Sequence, residues 1–271
     1  MSDQSQQVVE SIQNAMSSNQ ISSKAGQLVL EALDDVAVAG CQGVNIDEID
    51  SEEITLVAVA IDASSSMTQH RDSVIDAYNA QFLKPLKSAQ DAKKILVSTW
   101  VFSDEGRGKE KVRLVHGYTA IPDCPQLTRA NYNPDGTTPL NDAAWMTLTG
   151  ILSYGQTLRD SGTRTKCIVI VLTDGDENAS KTTAVKVRTL AEDLLQQEIY
   201  VLSYVFFGDA NQGAANAKKI GFPKQHMITS DLDDSSIRRR FGTVSASVIS
   251  TSQTKVSANS LSVNAFFADG R

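Results

Sequence analysis

An aspartate and two serines at alternating positions, Asp62, Ser64 and Ser66, follow directly on the apolar run of residues 56–61. One carboxylate and two neutral hydroxyls are hard oxygen donors, a set that suits magnesium or manganese rather than softer metals. The run before them is too short to span a bilayer and reads as a parallel strand buried on both faces. Its carboxyl end would open into a helix, and open α/β sheets bind their ligands in the crevice outside the carboxyl ends of strands. The same Asp-x-Ser-x-Ser spacing also suits a strand-to-helix cap, with the side chains taking up the first helical N–H groups. At this level both readings stand.

Two further segments add to the first. Residues 133–140, Asn-Pro-Asp-Gly-Thr-Thr-Pro-Leu, form a turn in which Thr138 stands before a proline suited to the first helical position. Residues 166–175 are a second apolar strand, ending Thr173-Asp174-Gly175. With these three segments the chain resembles the von Willebrand factor A domain family, which includes the integrin I domains, and looks like its intracellular, bacterial-type branch. The resemblance covers about residues 54–249. That family's metal-ion-dependent adhesion site joins Asp-x-Ser-x-Ser to a threonine of a Gly-x-Thr-Pro-like loop and the aspartate of a strand-ending Thr-Asp-Gly.

Carried over residue by residue, the resemblance assigns metal ligation to Asp62, Ser64, Ser66, Thr138 and Asp174. It implies Mg2+ or Mn2+ and an open coordination position that an Asp or Glu of a protein partner completes. Ser64, Ser66 and either Thr138 or an aspartate would ligate directly, with the remaining carboxylate acting through water. The function implied is a non-enzymatic protein-interaction module. An adaptor role beside a ring-forming AAA+ ATPase is a partnership the resemblance permits. Around the site, Asp135, Asp176 and Glu177 would ring the metal-bearing face as partner contacts, or serve as solvated turn residues. Met67 offers a rim contact or packing at the start of the following helix.

The elements that must position these residues alternate regularly. Strands are expected near 54–61, 94–102, 111–118, 166–173, 198–206 and 225–229, with helices near 68–90, 139–160, 180–197, 210–220 and 232–249. This order implies a Rossmann-like α/β fold: an open, mostly parallel sheet with helices on both faces. Gly106 and Gly108 lie in a hairpin that makes 111–118 an antiparallel edge strand. Residues 1–50 read as a helical N-terminal arm with helices at 5–16 and 22–36, residues 51–249 as the main domain, and residues 250–271 as a polar C-terminal tail. In that tail Phe266 and Phe267 could anchor into a neighbour's groove.

Composition narrows the function. A formal net charge of −7 argues against nucleic acid or an anionic membrane as partner, because phosphate affinity needs clustered Lys and Arg. Cys41, Cys124 and Cys167 are an odd set without Cys-x-x-Cys spacing, which suggests a reducing compartment. The first residues lack a basic region and an apolar core, so no signal peptide is expected and the cytoplasm is the expected location. Asp174-x-Asp176 opens a second class, metal-dependent phosphoryl transfer, but neither a nucleophile elbow nor a phosphate-binding glycine loop accompanies it. A third class is a structural subunit held in an assembly through the arm or the tail.

Overall fold

The computed structural model describes residues 3–106, 108–254 and 266–267. Its centre is β1 (Glu53–Asp62), whose successive side chains point to opposite faces of the sheet. Leu56, Ala58 and Ala60 join one apolar layer, and Val57, Val59 and Ile61 join the other. The strand β4 (Arg164–Thr173) repeats the pattern, with Cys167, Val169 and Val171 on one side and Ile168, Ile170 and Leu172 on the other. Strands apolar on both faces are stable only inside a sheet that helices cover twice.

That sheet has six strands in the order β3-β2-β1-β4-β5-β6. Here β2 is Ile95–Phe102, β3 Val112–Ala120, β5 Tyr200–Phe207 and β6 Met227–Ser230. All neighbours pair in parallel except β3, the antiparallel edge. The carboxyl ends of β1, β2, β4, β5 and β6 therefore share one rim, with β1 and β4 adjacent at its middle. The Rossmann-like reading with one antiparallel edge holds.

The N-terminal segment is part of the helical cover. The helices α1 (Asp3–Ser17), α2 (Ser23–Glu31) and α3 (Asp35–Gly40) bury Val8, Ile12, Ala15, Ala25 and Val29. The hydroxyls of Ser11 and Ser153 are 2.7 Å apart, and Ser22 N–H donates to Asp193. One helix was expected across 22–36. The structure splits it, because the Asp34 carboxylate accepts from Ala37 N–H and starts a new helix.

The helix expected over 68–90 is also divided. A 3-10 turn, Ser65–His70, leads into α4 (Arg71–Ala77), a π-helical turn Tyr78–Leu83 and α5 (Lys84–Lys87). The widening precedes Pro85, which has no N–H for an α-helical bond and would crowd the carbonyl four residues back. The remaining helices are α6 (Leu140–Asp160), α7 (Ala184–Leu195), α8 (Ala210–Lys219) and α9 (Asp234–Gln253).

Helix α9 runs four residues past its expected end and into the segment read as tail. Its last turn is tied to the sheet by Lys166, fully buried, whose Nζ lies 2.7 Å from Glu53 and donates to Ser252 O at 2.8 Å. Phe266 and Phe267 are buried in the apolar layer that α9 shares with Val57 and Ile170, their rings edge to face at 4.8 Å. They fill the chain's own core rather than a neighbour's groove. Among the described residues no helix is long and apolar enough to cross a membrane.

Candidate metal centre

The end of β1 delivers Asp62 into the rim, 1% exposed. Its Oδ1 accepts from Ser64 N–H at 2.8 Å, which turns the chain sharply at the end of the strand. Its Oδ2 accepts from the Thr173 hydroxyl of β4, and its carbonyl accepts from the buried Tyr132 hydroxyl at 2.7 Å. Past the turn, the hydroxyls of Ser64 and Ser66 lie 3.1 Å apart. The Ser66 hydroxyl donates to Asp174 Oδ1 at 2.8 Å. Asp62, Ser64, Ser66 and Asp174 thus form one connected group of oxygens across adjacent strands.

Thr138 enters from the loop before α6 and is 4% exposed. It lies against Gly175, the residue after Asp174: a Cβ on that glycine would come within 2.9 Å of the Thr138 hydroxyl oxygen. The loop is fixed from both sides. Asp135 N–H donates to Ala63 O, Ser65 N–H donates to Gly136 O, and Asp104 and Thr137 exchange backbone bonds. Gly136 sits at φ +79°, where any Cβ would strike the Asp104 carbonyl. The structure therefore brings all five expected ligand positions to one place on the rim.

The electrostatics of this cluster are unbalanced. Burial pushes the Asp62 carboxyl up to about 7, against the pull of the Thr173 and Ser64 hydrogen bonds, and the nearby Asp174 charge adds to the rise. Burial also raises Asp174, again against its bond from Ser66. Among the described residues neither carboxylate has a lysine or arginine ion-pair partner. No group of three or more His, Cys, Asp and Glu side chains gathers among those residues either. The cluster is instead two carboxylates and three hydroxyls, an all-oxygen set that fits magnesium or manganese by donor type.

The residues expected at the rim fall out differently. Met67 is 2% exposed and packs in the apolar layer beneath the site, so it is a helix-start core residue and no rim contact. Asp135 is exposed, and its Oδ1 accepts from Gly136 N–H. Asp176 is exposed but turned toward α8, accepting from Gln212 at 2.9 Å and Asn216 at 2.7 Å. Glu177 is spent inside its own loop and on α6, accepting from Ala179 N–H, Ser180 N–H, the Ser180 hydroxyl and Asn141 N–H.

Tyr132, Thr173 and Asn178 escaped the sequence reading although each touches a site residue. Thr173 stood inside a quoted motif, immediately before Asp174. Tyr132 and Asn178 carried no signal, since their partners are tens of residues away.

A family model described as von Willebrand factor type A domain matches residues 57–239. No curated protein matches the sequence. Among solved structures, the pilus adhesin SpaC from Lactobacillus rhamnosus GG in its open conformation is similar with a TM-score of 0.56 at 15% identity. The match covers 74% of this chain and 30% of that one. A second SpaC structure gives 0.52 at 14% identity, covering 74% and 31%. The PilB minor pilin from Streptococcus sanguinis gives 0.46 at 14% identity, covering 75% and 63%. The chain thus spans about a third of the length of SpaC, and at these identities the likeness is one of fold alone.

Proposed function

The chain belongs to the von Willebrand factor type A domain family, and on that premise we propose that it is a divalent-cation-dependent protein-interaction module. In this reading Ser64, Ser66, Thr138 and Asp174 hold Mg2+ or Mn2+, and Asp62 acts through water. Both Asp62 oxygens already accept hydrogen bonds from the protein, which suits an indirect role. The cation, when bound, supplies a positive centre with an open coordination position for a partner's Asp or Glu. The single observation that carries the reading is the pairing of two partly or fully buried carboxylates with three hydroxyls and, among the described residues, no lysine or arginine ion-pair partner. A divalent cation is the simplest group that would neutralise them.

The chain's own residues do the rest. Thr173 and Tyr132 hold the side chain and carbonyl of Asp62, and Gly175 leaves room for the Thr138 hydroxyl. Domains of this family are in general interaction modules without catalysis. Phosphoryl transfer would need Asp174 and Asp176 on one metal, but Asp176 is held by Gln212 and Asn216 of α8. The apolar face of the N-terminal arm (Val8, Ile12, Ala15, Ala25, Val29) and the C-terminal phenylalanines are buried on the chain's own core, which leaves an assembly role without an apolar contact surface there. A reducing, cytoplasmic setting is part of the proposal, supported by three buried cysteines that form no disulfide. An AAA+ ATPase as partner rests on the resemblance alone.

The test is partner capture from lysate by the native chain and by Ser66→Ala, each with magnesium and with chelator. Capture by the native chain that chelator and the substitution both abolish is the expected result. Capture indifferent to both would move recognition away from the rim.

A further inference from the structure

We propose that Asn178 is the positioning residue of the cation site, clamping Thr138 to the loop that carries Asp174 before any cation arrives. This rests on the cation reading above and adds to it how the donor set is kept assembled. Asn178 grips Thr138 at two points. Its side-chain Oδ1 accepts from Thr138 N–H at 2.8 Å, and its own backbone N–H donates to Thr138 O at 3.2 Å. No other residue bonds Thr138 on both sides among the described contacts.

The reason lies in the start of α6. A helix leaves its first N–H groups without partners, and a side chain at the cap normally takes one. Here the cap position is Pro139, which provides no side-chain bond. The loop after β4 does that work. Glu177 accepts from Asn141 N–H at 2.7 Å, and the Ser180 hydroxyl accepts from Asp142 N–H at 3.0 Å. In return the Asp142 carboxylate accepts from Lys181 N–H and Thr182 N–H. Helix start and loop are thus each other's caps, and residues 138–142 and 174–182 behave as one body.

Asn178 is the member of this lock that touches a proposed ligand. With Thr138 held through its backbone and pressed against Gly175, the hydroxyl is placed by protein contacts alone. Glu177 and Asp142 anchor the lock further along the helix. Asn178 itself is exposed, so its side chain can be changed with little effect on the core.

The experiment uses the full chain with Asn178→Ala and Asn178→Asp, the second keeping a side-chain acceptor. Thr138 amide exchange is followed by NMR in chelator, and manganese affinity by calorimetry. For Asn178→Ala, loss of one hydrogen bond should speed Thr138 exchange about tenfold without cation. Manganese affinity should fall about tenfold, the lower end for losing a group that orients a ligand. Asn178→Asp should restore slow Thr138 exchange. Unchanged exchange in Asn178→Ala, or exchange as fast in Asn178→Asp, would overturn the clamp. Should the native chain bind no manganese, the cation reading fails, while Thr138 exchange still decides whether Asn178 holds that residue.

Discussion

The buried Asp62 makes a sharp prediction about pH and metal together. Its carboxyl stands at about 7 in the folded chain against an ordinary value of 3.8, with burial the main cause. Between those values the folded chain holds a proton that the unfolded chain has lost. Stability from this group is therefore complete below about pH 4 and is lost as pH rises toward about 7. The gap corresponds to about 4 kcal/mol at neutral pH. Asp62→Asn removes the titration while leaving an acceptor for Ser64 N–H, and Thr173 can accept from the new amide.

The assay is urea denaturation in chelator from about pH 4.5 to 8, native against Asp62→Asn. The native chain should lose stability across that range relative to Asp62→Asn, in which the remaining slope is the balance of Asp174, raised by burial, and His116, lowered by burial and pulling the other way. Manganese should then stabilise the native chain most at high pH, because it competes with the proton on Asp62. With a carboxyl near 7, apparent affinity should be roughly 100-fold weaker at about pH 5 than at about pH 8. A native-minus-variant stability difference that is flat or rising with pH across this range in chelator would refute the reasoning.

Gly175→Ala should push the Thr138 hydroxyl away and weaken manganese binding about tenfold in calorimetry, with unchanged far-ultraviolet circular dichroism. Replacing Phe266 and Phe267 together by serine should cost roughly 4 kcal/mol in urea unfolding, as expected for two buried aromatic side chains. Lys166→Ala leaves Glu53 only its 3.8 Å contact with Arg164 and takes the donor from the Ser252 carbonyl at the end of α9, and should cost about 2 kcal/mol. Hydrogen exchange in the last turn of α9 should rise with it.

The sheet was legible because its central strands are apolar on both faces, a pattern that a buried parallel strand produces and a solvent-facing one does not. The three loop motifs lie at the ends of β1 and β4 and ahead of α6, so once the strands were placed their meeting on one rim followed. The break at Asp34 was hidden because one side chain, capping Ala37, decides it against the local helical pattern. The work of Glu177, Asp176 and Asn178 was hidden for a different reason. Each answers a group on α6, on the loop before it or on α8, about 36 to 40 positions away in the chain, and turn-like sequence around them gives no hint of it. The phenylalanine pair reads as an exposed anchor in isolation, since only the folded layer beneath α9 offers it a place.

The most direct test of the cation site is a crystal structure grown with manganese, with anomalous scattering recorded at the metal's absorption edge. The expected result is one anomalous peak at about 2.2 Å from the Ser64 and Ser66 hydroxyl oxygens, beside Thr138 and Asp174. A peak elsewhere on the chain, or none at saturating manganese, would contradict it.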